Sequence, residues 1–138
     1  MSGRKIKRYL HQISRPLSWF GNQALCPALV DNVDRVTILE YSDARLQTIC
    51  DTWYAIKPFA VVLYAYGATE EWLDQIAEKT ESNYPGLAVL WVHPAAPRYI
   101  KNHATPNPGM PILIIQDRAE LLQEKARLRK TDYYKGWH

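Results

Sequence analysis

The chain has 138 residues, of which 47% are hydrophobic, 22% charged and 12% aromatic, and it contains two cysteines. Its length is close to the commonest domain size of about 100 to 150 residues, which favours one globular domain, and its aromatic content argues against a disordered chain. No apolar run reaches the roughly 18 residues that a membrane span needs, and two cysteines are too few for a disulfide scaffold.

Charge is distributed unevenly along the sequence. Residues 1–30 contain five basic side chains and no acidic one. Residues 31–117 contain six basic and eleven acidic side chains, whereas residues 118–138 contain six basic and three acidic ones. Basic ends beside an acidic centre suggest contact with a polyanion, such as nucleic acid, anionic lipid or an acidic protein surface. A solvated extension that keeps the protein soluble is the alternative interpretation.

Residues 1–34 are predicted to form a basic N-terminal arm with a short amphipathic helix. Apolar side chains recur at helical spacing over residues 6–17, and Pro16 and Pro27 interrupt the pattern. This composition is also typical of an organelle targeting segment or of a membrane-surface helix. The apolar core of a secretory signal does not follow the basic cluster, so we expect a cytoplasmic or organellar, reducing compartment.

Residues 35–124 show the alternating strand and helix patterns of an α/β domain. Strands are predicted at residues 36–41, 59–66 and 87–92. The first predicted helix begins after Ser42 and ends before Pro58, and the second begins after Thr69 and ends before Pro85. Ser42 and Thr69 are expected to cap these helices, because their hydroxyls can accept hydrogen bonds from the first-turn N–H groups.

The last third of the chain is predicted to be less regular. Five prolines between residues 93 and 111 leave room for one short helix at about residues 98–104. Residues 112–115 and 119–123 flank a polar turn and have the spacing of an antiparallel hairpin. Residues 125–138 form a basic and aromatic tail, which is typical either of single-strand nucleic-acid binding or of a segment that covers the sheet.

These elements, a β-α-β unit, a crossover helix and strand, a proline-preceded strand and a closing hairpin, together resemble a thioredoxin-like domain. The residues that carry the likeness are Gly109, Met110 and Pro111 before an apolar strand, which is similar to the segment where thioredoxins place a cis-proline. The resemblance implies a three-layer sandwich with a central mixed sheet of four to five strands. It also implies that the surface beside Met110 and Pro111 presents backbone to extended peptides.

The motif that makes thioredoxins redox-active is absent from the sequence. In that family the loop from the second strand into its helix carries Cys-x-x-Cys, where the helix dipole lowers the pKa of a thiol. The four matching positions here are Ala68, Thr69, Glu70 and Glu71, and none of them can attack a disulfide. Peroxiredoxins share the fold but need a cysteine shortly after the strand that ends at Tyr66, where this chain has none.

The remaining candidates for chemistry have little support from their sequence context. Cys50 occupies a core position of the first helix, and Cys26 precedes Pro27 without a neighbouring base. A disulfide between the two cysteines is an alternative in an oxidising compartment. The four histidines lack the spacing of a zinc site, and no glycine-rich phosphate loop occurs, so we expect neither a metal nor a cofactor.

We therefore predict a redox-inactive thioredoxin-like protein that acts as an adaptor, an assembly factor or a structural subunit of a larger complex through protein contacts. Its expected binding residues are Arg4, Lys5, Lys7 and Arg8 as cations, Trp19 and Phe20 as apolar anchors, and Ala68, Thr69, Glu70, Glu71, Met110 and Pro111 as a docking face. One alternative is a nucleic-acid-associated component of a ribonucleoprotein. Another is an enzyme, either a divergent thiol oxidoreductase that uses Cys26 or Cys50 or a module like the cysteine-free thioredoxin-like domains of flavin monooxygenases.

Overall fold

A computed structural model describes residues 2–17, 23–24, 26, 29, 32–96, 99–100 and 103–131 of the chain. The longer strands within these residues are β1 (Val36–Glu40), β2 (Ala60–Tyr64), β3 (Leu87–Val92) and β4 (Ile112–Asp117). The α-helices are α1 (Ser2–Ser14), α2 (Asp43–Asp51), α3 (Trp53–Ile56), α4 (Glu70–Asn83) and α5 (Arg118–Arg129). Shorter pieces are a 3-10 turn (Val33–Arg35) and two antiparallel two-residue pairs, Pro16–Leu17 with Gln23–Ala24 and Tyr99–Ile100 with His103–Ala104.

The four longer strands form one mixed sheet in the order β1, β2, β4, β3. β1 and β2 are parallel, with Ile38 opposite Val62. β4 is antiparallel to both of its neighbours and places Ile114 opposite Val62 on one side and Leu90 on the other. The predicted α/β class and mixed sheet are confirmed. α4 connects β2 to β3, and these two strands are not neighbours in the sheet, because β4 lies between them.

Both faces of the central strand β2 are covered, as its continuous apolar sequence predicts. Val61 is 3% exposed and Val62 is fully buried, although successive side chains of a strand point to opposite faces. The two faces lie in two separate core clusters. The first contains Cys50, Trp53, Val61, Leu63, Leu73, Ala77, Leu87, Val89, Leu113 and Ile115. The second contains Ile6, Tyr9, Leu10, Leu29, Val33, Val62, Met110 and Ile112.

The cluster members show which helices cover which face. α2, α3 and α4 contribute to the first cluster, and α1 contributes to the second, so helices lie on both sides of the sheet. The predicted caps are confirmed, since Ser42 Oγ accepts a hydrogen bond from Arg45 N–H and Thr69 Oγ1 accepts one from Trp72 N–H, both at 3.1 Å. Each cap satisfies a first-turn N–H group that the helix itself leaves without an acceptor.

α1 is part of the core, which corrects the prediction of a basic arm over residues 1–34. Ile6 is fully buried and Leu10 is 2% exposed, whereas Arg4 and Arg8 on the opposite side of the helix are exposed. The predicted division at residue 34 therefore does not follow the hydrophobic core. A helix that uses its apolar side in the core cannot also insert that side into a membrane while the protein stays folded.

Three other expectations are wrong in the second half of the chain. The predicted strand at residues 119–123 and the first part of the predicted tail both belong to α5, so the predicted boundary after residue 124 lies inside a helix. Asp117 caps the start of this helix, because its Oδ1 accepts a hydrogen bond from Glu120 N–H at 3.0 Å. Where a short helix was expected at about 98–104, Tyr99–Ile100 pairs with His103–Ala104.

In the part of the chain that the structure describes, none of the helices combines the length and the apolar content needed to cross a membrane.

Candidate functional site

An open groove of about 470 Å³ lies where β1 and β2 end and α4 begins. Parallel neighbours such as β1 and β2 place their carboxyl ends at the same edge of the sheet, which is where ligands commonly bind to α/β proteins. The chain turns sharply between β2 and α4 at Gly67, whose φ of 72° lies in the left-handed region. Ala68 N–H donates to the carbonyl oxygen of Ala65 at 3.2 Å across this turn.

Ala68, Thr69, Glu70 and Glu71, four residues of the predicted docking face, lie together at the start of α4. Ala68 and Thr69 line the groove. Glu70 and Glu71 follow in the first turn of α4 and are exposed, where their charge interacts favourably with the helix dipole. The start of α4 therefore presents the carboxylates of Glu70 and Glu71, and the Thr69 hydroxyl there is already occupied as the helix cap.

Pro111, another residue of the predicted docking face, is buried next to the end of β2. Ala65 N–H, just beyond β2, donates to the Pro111 carbonyl oxygen at 3.0 Å. Met110 is only 4% exposed and belongs to the second core cluster, so its side chain is a packing residue and not a contact surface.

The Met110–Pro111 peptide bond is trans, which corrects the expected cis-proline. The trans form is favoured by about 0.5 to 1 kcal/mol for a bond before proline. The chain bends just before this bond, at Gly109, whose φ is 79°. Asn107 supports that turn, because its Oδ1 accepts a hydrogen bond from Gly109 N–H at 2.7 Å.

The predicted cations lie on a different surface from the groove. Arg4, Lys5, Lys7 and Arg8 are all exposed on α1, which covers the sheet face opposite α4. Lys7 Nζ is 2.8 Å from Asp34 Oδ1, and this hydrogen bond lowers the pKa of the Asp34 carboxyl. The structure therefore does not bring the predicted site residues into one site. Trp19 and Phe20, the predicted apolar anchors, lie outside the described residues.

Cys50 does not have the environment of a reactive thiol. Cys50 is 5% exposed, and burial, with a smaller contribution from the charge of Asp51, raises its pKa to about 11. Cys26 is half-buried and packs against the second cluster, whereas Cys50 belongs to the first. The two cysteines are thus on opposite sides of the sheet, which contradicts the alternative of a disulfide between them.

His93 braces the loop that leads into α4, a role that its sequence position alone did not reveal. Its Nδ1 accepts a hydrogen bond from Ala95 N–H at 3.0 Å, so Nε2 carries the proton and donates to the Ala68 carbonyl oxygen at 2.8 Å. Both ring nitrogens of His93 therefore take part in hydrogen bonds to the backbone. Among the described residues, no group of three or more His, Cys, Asp or Glu side chains is placed to hold a metal ion.

Four aromatic side chains, Tyr41, Tyr64, Tyr66 and Trp72, contribute to the groove wall, and none of them was among the predicted site residues. The Tyr41 and Trp72 rings meet edge to face with centroids 4.9 Å apart, and the Tyr64 and Tyr66 rings do so at 5.6 Å. Tyr41 and Tyr64 each come at the end of an apolar strand. Since parallel strands end at one edge of the sheet, that position was the signal that could have identified them.

Comparison with known proteins finds no matching family model, no matching curated protein and no matching solved structure.

Proposed function

We propose that this chain is a redox-inactive, thioredoxin-like protein that acts as an adaptor, an assembly factor or a structural subunit through protein contacts. One observation carries this proposal. The start of α4, where the resemblance implies a nucleophilic cysteine, presents Ala68, Thr69, Glu70 and Glu71 beside an open groove. A carboxylate or a methyl group at this position cannot attack a disulfide, so recognition is the use that remains for the groove.

Two features support the thioredoxin-like assignment, and two depart from it. β1 and β2 form a parallel β-α-β unit, and Pro111 lies beside the end of β2 just before the antiparallel strand β4. The trans bond before Pro111 and the helix α5 in place of a closing hairpin are the departures. We assign the likeness to the arrangement around α4, which is the part relevant to function.

The environment of the thiols also supports a role without thiol chemistry. A nucleophilic cysteine needs a lowered pKa, because the thiolate is the reactive form. Burial has the opposite effect on Cys50, whose pKa is raised to about 11. At neutral pH only about one thiol in ten thousand would be ionised at such a value. We propose a reducing compartment, whether cytoplasmic or organellar, in which thiols stay reduced.

Opposite charge on the two sides of the sheet would orient a partner. α1 has exposed basic side chains and contains no acid, whereas α4 carries five acidic residues, namely Glu70, Glu71, Asp74, Glu78 and Glu81, and one basic residue, Lys79. Complementary potentials steer association and suppress incorrect partners more than they increase affinity. We therefore assign α1 to contact with an acidic surface.

The experiment is affinity purification of the full chain from its native source, compared with a variant in which Arg4, Lys5, Lys7 and Arg8 are replaced by alanine. All four side chains are exposed, so the variant should fold. At about 0.15 M salt, where exposed charges act only over about 8 Å, we expect the wild type to retain partners that the variant loses. Identical retained proteins would contradict the role of α1.

A nucleic-acid-associated function is the second candidate, because exposed cations are found at both ends of the described chain. Besides those of α1, Lys125, Arg129 and Lys130 are exposed at the end of α5. For nucleic-acid binding, the logarithm of the binding constant would fall linearly with the logarithm of the salt concentration. The slope would be about 0.9 per phosphate neutralised on a duplex. A steep slope with RNA or DNA would favour this candidate, and a flat one would eliminate it.

A further inference from the structure

The groove at the start of α4 has the chemistry of a cation-binding site. Four aromatic side chains line it, and among the described residues of its lining Glu40 alone has a charged side chain. In an edge-to-face pair, one ring points its edge at the face of the other. The faces of the first ring are therefore not covered by its partner. Aromatic faces carry partial negative charge and attract guanidinium and ammonium groups within about 6 Å of the ring centre.

The charged residues that flank the groove make it acidic. Segments 40–45 and 64–72 together contain four acids, Glu40, Asp43, Glu70 and Glu71, and one base, Arg45. The guanidinium of Arg45 is already engaged, since its Nη1 donates to the Glu40 carbonyl oxygen at 2.5 Å. The Tyr41 hydroxyl donates to Asp43 Oδ1 at 2.5 Å, and burial together with this bond raises the pKa of the Tyr41 phenol, which keeps the ring neutral.

An anion is the poorer ligand for this groove, although the N-terminus of a helix often binds one. Thr69 Oγ1 already accepts from Trp72 N–H, which removes a donor that an anion would use. Glu70 and Glu71 in the first turn offset the positive end of the helix dipole and would repel an anion.

We infer that this groove binds an arginine or lysine side chain presented by an extended basic segment of a partner protein. The inference rests on the proposed function and names the chemistry of the partner at that face. An open groove suits a protein segment, because sites for small molecules enclose about 70 to 90% of their ligand. Tyr66 is 63% exposed and forms the accessible wall of the groove.

The test is a titration of the full chain followed by NMR of ¹⁵N-labelled protein. The probe is an eight-residue peptide of alternating arginine and glycine, and the matched control peptide carries citrulline, which has arginine's shape without its charge. We expect the arginine peptide to shift the Trp72 indole N–H signal and the amide signals of residues 65–72, and the citrulline peptide to leave them unchanged. Equal shifts with both peptides, or shifts confined to another surface, would overturn the inference.

Variants test the groove wall directly. Tyr66→Leu should lower the affinity for the arginine peptide about two- to fivefold, because it removes one exposed aromatic ring. Tyr66→Phe keeps a ring and should bind the peptide with wild-type affinity. Tyr54→Leu is the matched control, because Tyr54 is similarly exposed, at 58%, but lies at the other end of the sheet. Its hydroxyl donates to the Gly86 carbonyl oxygen, just before β3 begins. Glu40→Gln should also weaken binding. Unchanged affinity in both Tyr66→Leu and Glu40→Gln would overturn the inference.

Two further outcomes identify the source of the cation. Free N-acetyl-arginine methylamide that binds as tightly as the peptide would overturn the assignment to a partner segment and indicate a small-molecule site. Concentration-dependent self-association that Tyr66→Leu abolishes would overturn it in favour of a second copy of this chain. Disulfide reduction by the protein would contradict the proposed function alone, so the two failures are distinguishable.

Discussion

Ile6 of α1 and Val62 of the central strand β2 are both fully buried in the same core cluster. This relationship makes the N-terminal helix a structural element and leaves only its charged side for contacts. Ile6→Ala should therefore lower the free energy of unfolding by about 2 to 5 kcal/mol, as truncations in a closed core do. Urea denaturation followed by circular dichroism measures the loss.

The matched control on the same helix is Lys5→Ala. Lys5 is exposed, so its replacement should change stability by less than about 0.5 kcal/mol. If Ile6→Ala were as harmless as Lys5→Ala, α1 would not be docked on the sheet in solution, and the predicted arm would be the better description.

The raised pKa of Cys50 predicts how stability depends on alkaline pH. Burial raises the pKa of this thiol to about 11 in the folded chain, against an ordinary value of 9.0. Between these values the folded state keeps a proton that the unfolded state has lost, so stability should fall as pH rises through this window. The decrease can reach about 1.4 kcal/mol per pH unit.

The comparison that isolates this effect is Cys50→Ala, measured by urea denaturation from pH 8 to pH 10. Tyrosines with raised pKa values add to the slope as pH approaches 10, among them Tyr84, whose hydrogen bond to Asp51 is the largest cause that raises its pKa to about 12. Both proteins keep these tyrosines, so the difference between the two profiles is assigned to Cys50. The variant should show a flatter profile than the wild type. Parallel profiles would mean that the Cys50 thiol ionises in the folded chain as easily as in the unfolded one.

Arg118, which the sequence analysis placed in a turn, fastens the start of α5 to the turn before β3. Its Nε donates to the Pro85 carbonyl at 3.0 Å and its Nη2 to the Leu87 carbonyl at 3.1 Å, and the same Nη2 pairs with Glu81. Arg118→Ala should cost about 1 to 3 kcal/mol of stability, because hydrogen bonds from a charged group are among the stronger ones.

The control for this prediction is Arg129→Ala, at an exposed position of the same helix. Arg118→Lys should recover only part of the loss, because an ammonium lacks the planar fork that reaches several acceptors at once. Thermal unfolding followed by calorimetry would rank the three variants. Equal melting temperatures for Arg118→Ala and Arg129→Ala would refute the anchoring role.

Local patterns predicted the first half of the α/β domain well. Apolar runs identified β1, β2 and β3, and the hydroxyls of Ser42 and Thr69 marked the helix starts correctly, since these features depend on neighbours in sequence. The helix α5 was missed although Asp117 and Glu120 have the spacing of an N-terminal cap. Residues 119–123 follow residues 112–115 across a polar turn at the spacing of a hairpin, which favoured a strand, and α5 buries few side chains that would mark a helical stripe.

Long-range arrangement was the part that sequence could not supply. Nothing local distinguishes an amphipathic arm from a helix that packs on a sheet, because both need the same apolar stripe. Ala68 and Thr69, two of the predicted docking residues, line the groove, but the aromatic part of its wall depends on β1 and β2 being neighbours. Tyr41 and Trp72 are far apart in sequence and meet only because β1 packs beside β2 and α4 follows.

The rate of insulin disulfide reduction by the purified full chain, with dithiothreitol as the electron donor, tests the absence of thiol chemistry at the α4 start most directly. A Cys26→Ser, Cys50→Ser double variant is the matched control, and a known dithiol oxidoreductase shows that the assay works. We predict that the wild type precipitates insulin no faster than dithiothreitol alone and no faster than the double variant. Faster reduction by the wild type that the double variant loses would contradict the account.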